Sequence, residues 1–215
     1  MPETEKVRFE NWGRTRYGEA LERQLKTLQE RREGQRPDTL VFTEHEPVFT
    51  VGKRRGAAQH MIAGRSFLEA NGIEVVETNR GGDITYHGPG QITGYLFIDL
   101  SVSRDLHLLL RQVEDLIIAV VSSYGLSCGR RDGLTGVWVE KRKVAAIGMA
   151  ARHWISFHGF ALNVNTDLAH FGGIVPCGIT DGTVTSLEQE LGQKIPLEEV
   201  QERIQDEFLK SFGNE

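Results

Sequence analysis

The densest group of reactive side chains lies in a glycine-rich segment, residues 80–91, which reads Arg-Gly-Gly-Asp-Ile-Thr-Tyr-His-Gly-Pro-Gly-Gln. Glycines leave backbone uncovered, so a ligand can lie directly against the main chain. The segment lacks the G-x-x-x-x-G-K-[ST] motif, and its second glycine pair precedes a predicted strand instead of a helix, which argues against a nucleotide-phosphate loop. The alternative is that these glycines only form two tight turns, one on each side of a short strand, and bind no ligand. The polar residues between the glycines favour a substrate site.

The chain has two cysteines, Cys128 and Cys177, which form neither a disulfide framework nor a C-x-x-C zinc motif. Cys177 lies in the loop-like sequence Gly-Gly-Ile-Val-Pro-Cys-Gly-Ile, where a nucleophile would be approachable. Backbone N–H groups of Gly178 and Ile179 could there stabilise an oxyanion. Two arginines follow Cys128 and could lower the pKa of its thiol. A lone cysteine is more often a small buried hydrophobic residue, so spacing favours Cys177 without deciding between structure and catalysis.

A thiol nucleophile requires a group that favours its thiolate. Lys143 opens a run of small residues, Lys-Val-Ala-Ala-Ile-Gly-Met-Ala, on a predicted strand. A lysine on such a surface would be partly desolvated, which would lower its pKa and allow it to act as a base. The alternative is that Lys143 belongs to a solvated hairpin turn with its two basic neighbours. His87 and His158 are further candidates near predicted strand ends.

The elements that must position these residues are strands in hairpin-like runs, interspersed with amphipathic helices. Apolar residues at helical spacing predict helices near residues 21–28, 106–121 and 200–212, and Ser66 is expected to cap a short helix ending at Asn71. Strands are predicted at residues 40–42, 48–51, 73–78, 95–100, 137–140, 144–154 and 155–164, with residues 171–185 as a loop. This order predicts an α+β fold, a mixed β-sheet flanked by helices.

Composition restricts the classes of function. The 215 residues, with 39% hydrophobic and 26% charged residues, are expected to form a single domain spanning residues 1–215. The net charge of −5 argues against nucleic-acid binding through a strong overall positive field. The first residues are charged, and no apolar run reaches about 18 residues, so we expect a cytoplasmic protein with reduced thiols. No metal site is predicted, since no H-E-x-x-H helix is present.

Three separated blocks resemble the octanoyltransferases of lipoate biosynthesis. The first is residues 80–91 with Tyr95 beyond it, the second is Lys-Val-Ala-Ala-Ile-Gly from Lys143, and the third is Pro-Cys-Gly-Ile around Cys177. They occur in the family's order, and the resemblance covers roughly residues 7–209. It implies the fold shared by biotin and lipoate ligases, with an acyl chain bound in a sheet-lined pocket.

The resemblance also implies roles for individual residues. Cys177 would carry the octanoyl thioester, and Lys143 would lower the pKa of its thiol. Cys128 would have a structural role only. The residues expected to line the substrate are Arg80, Gly81, Gly82, Asp83, Ile84, Thr85, Tyr86, His87, Ala146, Ile147, Gly148, Gly159, Phe160 and Ala161.

The implied partners are octanoyl-acyl carrier protein as donor, and a lysine of lipoyl domains in 2-oxoacid dehydrogenase complexes and glycine-cleavage H protein as acceptor. A thioester would be exchanged and then converted to a more stable amide, so no cofactor or ATP is expected. We expect a monomer, and the basic residues Lys53, Arg54 and Arg55 could dock the carrier protein. Alternatives are an ATP-dependent lipoate or biotin ligase, an acyl-thioesterase, or a non-catalytic carrier-binding module. The absence of Gly-x-Gly-Arg-x-Arg and the presence of Cys177 favour the transferase.

Overall fold

A computed structural model describes residues 7–175 and 183–213, which form eleven strands and five α-helices. The strands are β1 (Val7–Thr15), β2 (Asp38–His45), β3 (Val48–Val51), β4 (Glu74–Glu77), β5 (Thr85–His87), β6 (Gln91–Phe97), β7 (Gly129–Arg131), β8 (Leu134–Val139), β9 (Arg142–Arg152), β10 (Ile155–Asn163) and β11 (Thr183–Val184). The helices are α1 (Tyr17–Arg32), α2 (Arg65–Asn71), α3 (Leu106–Ser122), α4 (Leu187–Leu191) and α5 (Leu197–Phe212), with 3-10 turns at Ala57–His60 and Leu168–Gly173.

The larger sheet has the strand order β1-β2-β6-β10-β9-β8-β7, and β11 pairs with the start of β9. β1 and β2 are parallel, as are β9 and β11, while the other pairs of this sheet are antiparallel. A smaller sheet has the order β4-β3-β5. The predicted mixed sheet flanked by helices is therefore confirmed.

Period-two alternation along the central strands gives the larger sheet two apolar faces. On β6, Ile92 and Leu96 join the main core under α3 and α5, whereas Tyr95 and Phe97 face the cluster beneath α1. A third cluster joins the small sheet to α2 and to the 3-10 turn that contains Phe171. The cavity described below lies where these layers meet.

One cross-strand contact in the larger sheet depends on a missing side chain. Phe160 on β10 pairs with Gly94 on β6. A Cβ atom placed on Gly94 would lie 2.2 Å from Cζ of Phe160, so the aromatic ring fills the space that a side chain at position 94 would need. Gly94 therefore lets two neighbouring strands interlock at the main core.

The helices predicted from periodicity at residues 106–121 and 200–212 are confirmed as α3 and α5. Asp105 caps α3 by accepting a hydrogen bond from the Leu108 N–H at 2.9 Å. Ser66 was wrong as a cap, since Gly64 precedes α2 and gives no side-chain hydrogen bond. The loop predicted at residues 171–185 begins within a 3-10 turn and contains β11.

Several short or polar elements were not predicted, namely β1, β7 and α4. Edge strands and short helices need little apolar sequence, so they lack the periodicity by which the central elements were found. β1 illustrates this, because most of its residues are partly or fully exposed. Among the described residues, every helix is too short or too polar to cross a membrane.

Candidate active site

A cavity of about 180 Å³ lies between the central strands β6, β9 and β10, the start of α1 and the loop before β5. It brings together most of the substrate residues predicted from the sequence, although they come from three separated parts of the chain. Those predicted residues that line it are Arg80, Gly82, Asp83, Ile84, Thr85, His87, Lys143, Ala146, Ile147, Gly148, Gly159, Phe160 and Ala161.

Two predicted substrate residues, Gly81 and Tyr86, are not in the cavity wall. The Gly81 N–H donates to the carbonyl of Met149 at 3.1 Å, which fixes the glycine-rich loop to β9. Tyr86 is buried in the core of the small sheet, with edge-on contacts to Phe49 and Phe171 at 5.9 and 5.4 Å between ring centroids. Both residues shape the cavity from behind.

Close backbone approach explains the glycines of the cavity wall. Gly148 and Gly159 are paired across β9 and β10. A Cβ on Gly148 would lie 2.7 Å from the carbonyl oxygen of Gly81, and one on Gly159 would lie 2.1 Å from that of Gly94. Backbone atoms cannot yield as a flexible side chain can, so the wall requires glycine at both positions.

Lys143 is buried, with 6% of its surface exposed, and lines the cavity. Its Nζ donates to the carbonyl of Thr135 at 3.1 Å and lies 4.7 Å from the ring centroid of Trp138. Its neighbour Lys141 is exposed at the hairpin. The solvated-turn interpretation is therefore wrong for Lys143, because it belongs to β9 and its side chain forms part of the cavity wall.

Cys177 and the proposed oxyanion donors Gly178 and Ile179 lie outside the described residues. The chain on each side of segment 176–182 is bonded to other parts of the fold. On one side, Val175 N–H donates to His60 O at 2.8 Å, and on the other, Val184 pairs with Lys143. The chain that contains Cys177 thus rejoins the sheet beside Lys143.

A buried polar network lies behind the glycine-rich loop. Arg80 donates from Nη2 to Thr50 Oγ1 at 2.9 Å, and Thr50 Oγ1 lies 3.2 Å from His87 Nε2. His87 Nδ1 lies 2.8 Å from Gln91 Oε1. Burial, with His45 and Arg80 nearby, holds the pKa of His87 well below its ordinary value, so His87 is neutral at physiological pH.

His158 interrupts the alternation of β10. Its φ of +59° is in the left-handed region, and its ring lies 4.5 Å from that of Phe157, so adjacent side chains share one face. Nε2 is bonded to Asn79 Oδ1 at 2.7 Å, while Nδ1 has no hydrogen-bond partner among the described residues. Burial, with the charges of Arg80 and Lys53, lowers the pKa of His158 to about 3, so the ring is neutral near neutral pH and its Nε2–H donates to Asn79 Oδ1.

The three basic residues of the sequence analysis, Lys53, Arg54 and Arg55, are exposed. Lys53 and Arg54 donate backbone hydrogen bonds to the glycine-rich loop, at 3.1 Å to Arg80 O and 3.0 Å to Gly82 O. Arg54 also lines the cavity.

Cys128 lies away from this cavity. It is partly buried against the main core, and its Sγ contacts Ser122 Oγ at 3.4 Å and the carbonyl of Ile118 at 3.5 Å. These contacts agree with a structural role. No group of three or more His, Cys, Asp or Glu side chains in residues 7–175 and 183–213 is arranged to hold a metal ion.

The sequence analysis missed several residues of the wall, among them Tyr17, Thr93 and Asn163. One signal was present. Polar side chains alternate with Ile92, Gly94 and Leu96 on β6, which indicates a strand with one polar face directed toward a site. Tyr17 offered no comparable signal, because it belongs to a helix whose position on the sheet depends on tertiary packing.

Comparison with known proteins identifies the family. The family model described as lipoyl protein ligase A/B catalytic domain matches residues 16–209. An octanoyltransferase of Rubrobacter xylanophilus is 48% identical over 203 residues, covering 94% of this chain and 91% of the relative. The chain belongs to the octanoyltransferase family. Members of this family are acyltransferases, so the cavity and its buried lysine are placed in an acyl-transfer enzyme.

Solved structures confirm the fold. The putative lipoate protein ligase of T. acidophilum has a TM-score of 0.74 at 16% identity, covering 97% of this chain and 85% of that one. The biotin protein ligase of Aquifex aeolicus has a TM-score of 0.55 at 11% identity, covering 97% and 70%. The chain therefore shares the architecture of lipoate and biotin ligases, as the sequence predicted.

Proposed function

We propose that this octanoyltransferase transfers the octanoyl group of octanoyl-acyl carrier protein to a lysine of lipoyl domains, through a thioester on Cys177. The supporting observation is the pairing of Val184 with Lys143, which returns the segment containing Cys177 to the sheet beside a buried lysine in the cavity wall. The acceptors are the lipoyl domains of 2-oxoacid dehydrogenase complexes and glycine-cleavage H protein. The chain, residues 1–215, acts as one cytoplasmic catalytic domain and as a monomer.

The first half-reaction exchanges one thioester for another. The Cys177 thiolate attacks the octanoyl carbonyl, a carbon–sulfur bond forms to the enzyme, and the bond to the carrier thiol breaks. The carrier leaves as a thiolate and takes up the proton that Lys143 received from Cys177, which returns the lysine to its neutral form for the second half-reaction. Lys143 accepts the Cys177 proton, and its positive charge then favours the thiolate.

The second half-reaction forms an amide. The lysine amine of the lipoyl domain attacks the enzyme thioester, the carbon–nitrogen bond forms, and Cys177 leaves as the thiolate. Lys143 takes the proton lost by the attacking nitrogen. An amide is more stable than a thioester, so the net transfer needs neither nucleotide nor metal.

The wall residues bind the acyl chain in this proposal. Ala146, Gly148, Gly159 and Ala161 present little side-chain volume on adjoining strands. A narrow saturated chain can therefore lie against the sheet, with its carbonyl toward Lys143. The glycine-rich loop covers the opposite side of the chain.

The test is intact-protein mass spectrometry after mixing the chain with octanoyl-acyl carrier protein in the absence of ATP. We expect one octanoyl adduct, located on Cys177 by peptide mapping and discharged by apo lipoyl domain. The Cys177→Ala variant should form no adduct. Cys128→Ala serves as the matched control and should acylate within about twofold of the wild-type rate, because a change remote from the reacting atoms alters the barrier by no more than a few tenths of a kcal/mol.

The role of Lys143 is tested in the same assay. Lys143→Ala should acylate about 10²-fold more slowly or worse, the usual contribution of a positioned proton-transfer group. A Lys143→Ala protein with the wild-type rate would remove the lysine from the mechanism. Lipoyl-domain modification only from free octanoate and ATP would make the protein a ligase, and discharge of the adduct by water alone would make it a thioesterase.

A further inference from the structure

A continuous chain of buried hydrogen bonds runs from the glycine-rich loop to the strand that follows segment 176–182. It begins with Arg80, Thr50 and His87 and continues through Gln91. Gln91 Nε2 donates to Asn163 Oδ1 at 2.9 Å, and Asn163 Nδ2 donates to the carbonyl of Thr185 at 2.9 Å. These side chains are buried and come from β3, β5, β6 and β10 together with the loop before β5. The chain thus links the cavity wall to residue 185.

The direction of every bond in this chain is fixed. A backbone carbonyl can only accept, so the bonds to Tyr86 O and Thr185 O identify the nitrogen atoms of Gln91 and Asn163. Gln91 Oε1 must then accept from His87 Nδ1, which leaves Nε2 to accept from the Thr50 hydroxyl. A network with one allowed arrangement holds its members in one geometry.

Thr185 is the end point of the network and is completely buried. Its N–H donates to the Lys143 carbonyl at 2.9 Å, and its carbonyl accepts from Asn163. Its hydroxyl donates to Glu190 Oε1 at 2.6 Å. Thr185 is therefore held between the backbone of Lys143 on one side and the amide of Asn163 on the other.

We propose that Asn163 is a positioning residue for octanoyl transfer. It fixes Thr185, and through it the return end of segment 176–182, against Lys143. This inference rests on the proposed function, in which Cys177 and Lys143 must act together. β11 contains only two residues, so its own backbone pairing with β9 is short. Side-chain hydrogen bonds to the following residue, Thr185, therefore help to hold β11 in register.

The variants Asn163→Ala and Asn163→Asp separate this role from simple space filling. Alanine removes the bond and leaves a buried carbonyl unpaired. Aspartate keeps the shape but places an oxygen acceptor against the Thr185 carbonyl, so it should be at least as damaging as alanine. If Asn163 merely fills space, Asn163→Asp should be less damaging than Asn163→Ala, because aspartate has the same shape as asparagine.

Asn165 provides the matched control. It lies just beyond the end of β10, where its Nδ2 donates to Ile195 O at 2.7 Å and its Oδ1 accepts from Ile195 N–H at 3.0 Å. Asn165→Ala and Asn165→Asp thus remove a similar side-chain clamp on a different segment. The rates of these variants show how much a general loss of rigidity at this end of the sheet lowers acylation and Cys177 alkylation.

Two rates are measured below the unfolding temperature of every variant. The first is the acylation rate with octanoyl-acyl carrier protein, with kcat and KM determined separately. The second is the alkylation rate of Cys177 by iodoacetamide, with Cys128 as an internal reference. We expect both Asn163 variants to lower kcat and Cys177 alkylation about tenfold, near the effect of one lost hydrogen bond to a buried group. Cys128 alkylation and both rates of the Asn165 variants should stay within about twofold, a difference below 0.5 kcal/mol.

Wild-type Cys177 rates in either Asn163 variant, or equal losses in the Asn165 variants, would overturn the positioning role. Asn163→Asp with a milder effect than Asn163→Ala would also overturn it. If the wild-type chain forms no acyl-enzyme, the proposed function fails. The alkylation rates then still decide whether Asn163 positions the Cys177 segment.

Discussion

At the scale of single residues, the site depends on backbone positions that tolerate no ordinary side chain. Gly148 and Gly159 allow the glycine-rich loop and β6 to approach within van der Waals distance of β9 and β10. Lys143 lies on β9 and is buried in the cavity wall, whereas Lys141 lies in the preceding turn and is exposed. The residue type at each of these positions follows from a contact that is distant in sequence.

Gly159→Ala should destabilise the protein and slow octanoyl transfer. The added Cβ would lie 2.1 Å from the Gly94 carbonyl oxygen, and overpacking of this kind costs about 1–3 kcal/mol or more. Gly18→Ala is the control, because its Cβ meets nothing within 4 Å and alanine favours the helix by about 0.5–1 kcal/mol. Urea denaturation should thus give opposite signs for the two variants. Equal midpoints would show that the backbone at Gly159 yields easily.

Site residues could be predicted from the sequence where the reactive side chains lie close together along the chain. The glycine-rich block and Lys143 were selected from the sequence because reactive side chains lie among small residues. The buried network could not be found in this way. Gln91 lies in the glycine-rich block, but its partners Thr50 and Asn163 are ordinary polar residues in sequence, and they acquire meaning only when neighbouring strands bring them into the network.

At the scale of elements, strong periodicity identified α3, α5 and the central strands, whereas β1 and β7 carry too little apolar sequence to be recognised. The connection between α3 and the β7–β8 hairpin was equally hidden. Glu114 on α3 is fully buried, which its sequence neighbours do not indicate. It accepts hydrogen bonds from Arg111, Arg130 and the N–H of Gly136 at 2.6, 2.7 and 3.0 Å.

Glu114→Gln should loosen the β7–β8 hairpin, which contains the carbonyl that receives Lys143 Nζ. Burial opposes ionisation of Glu114, yet these hydrogen bonds hold its pKa below the ordinary value, so the carboxylate is charged in the folded protein. The carboxylate is buried, whereas its two arginine partners are partly exposed, so weakening these charge-assisted hydrogen bonds should cost about 1.5–3 kcal/mol. Glu69→Gln, in an exposed pair with Arg65, should change the free energy of unfolding by less than about 1 kcal/mol. Similar urea midpoints for both variants would contradict this account of Glu114.

At the scale of the whole molecule, the protein keeps three buried histidines in the neutral form. Burial lowers the pKa of His45 to about 4, and that of His158 is lowered to about 3, while His87 is also well below its ordinary value. In the unfolded chain each imidazole has a pKa near 6.5. Below that pH the unfolded state binds protons that the folded state does not.

The free energy of unfolding should therefore be retained above about pH 6.5 and lost as the pH falls from 6.5 toward 4, by up to ~1.4 kcal/mol per pH unit for each histidine. His45→Gln should remove one such contribution and flatten the pH dependence between 6.5 and 4. His107→Gln, at an exposed position on α3, is the matched control substitution. Denaturant titrations at several pH values make the comparison. Parallel curves for His45→Gln and the wild type would mean that His45 is protonated in the folded protein.

The interlock of Gly94 and Phe160 has an evolutionary consequence. A larger residue at 94 collides with the ring, while a smaller residue at 160 leaves an unfilled volume in the main core. Either change alone is destabilising, although a compensating pair can restore the fit. A descendant sequence with a larger residue at 94 and a smaller one at 160 can arise only through a less stable single variant. Gly94 and Phe160 are therefore expected to be inherited together.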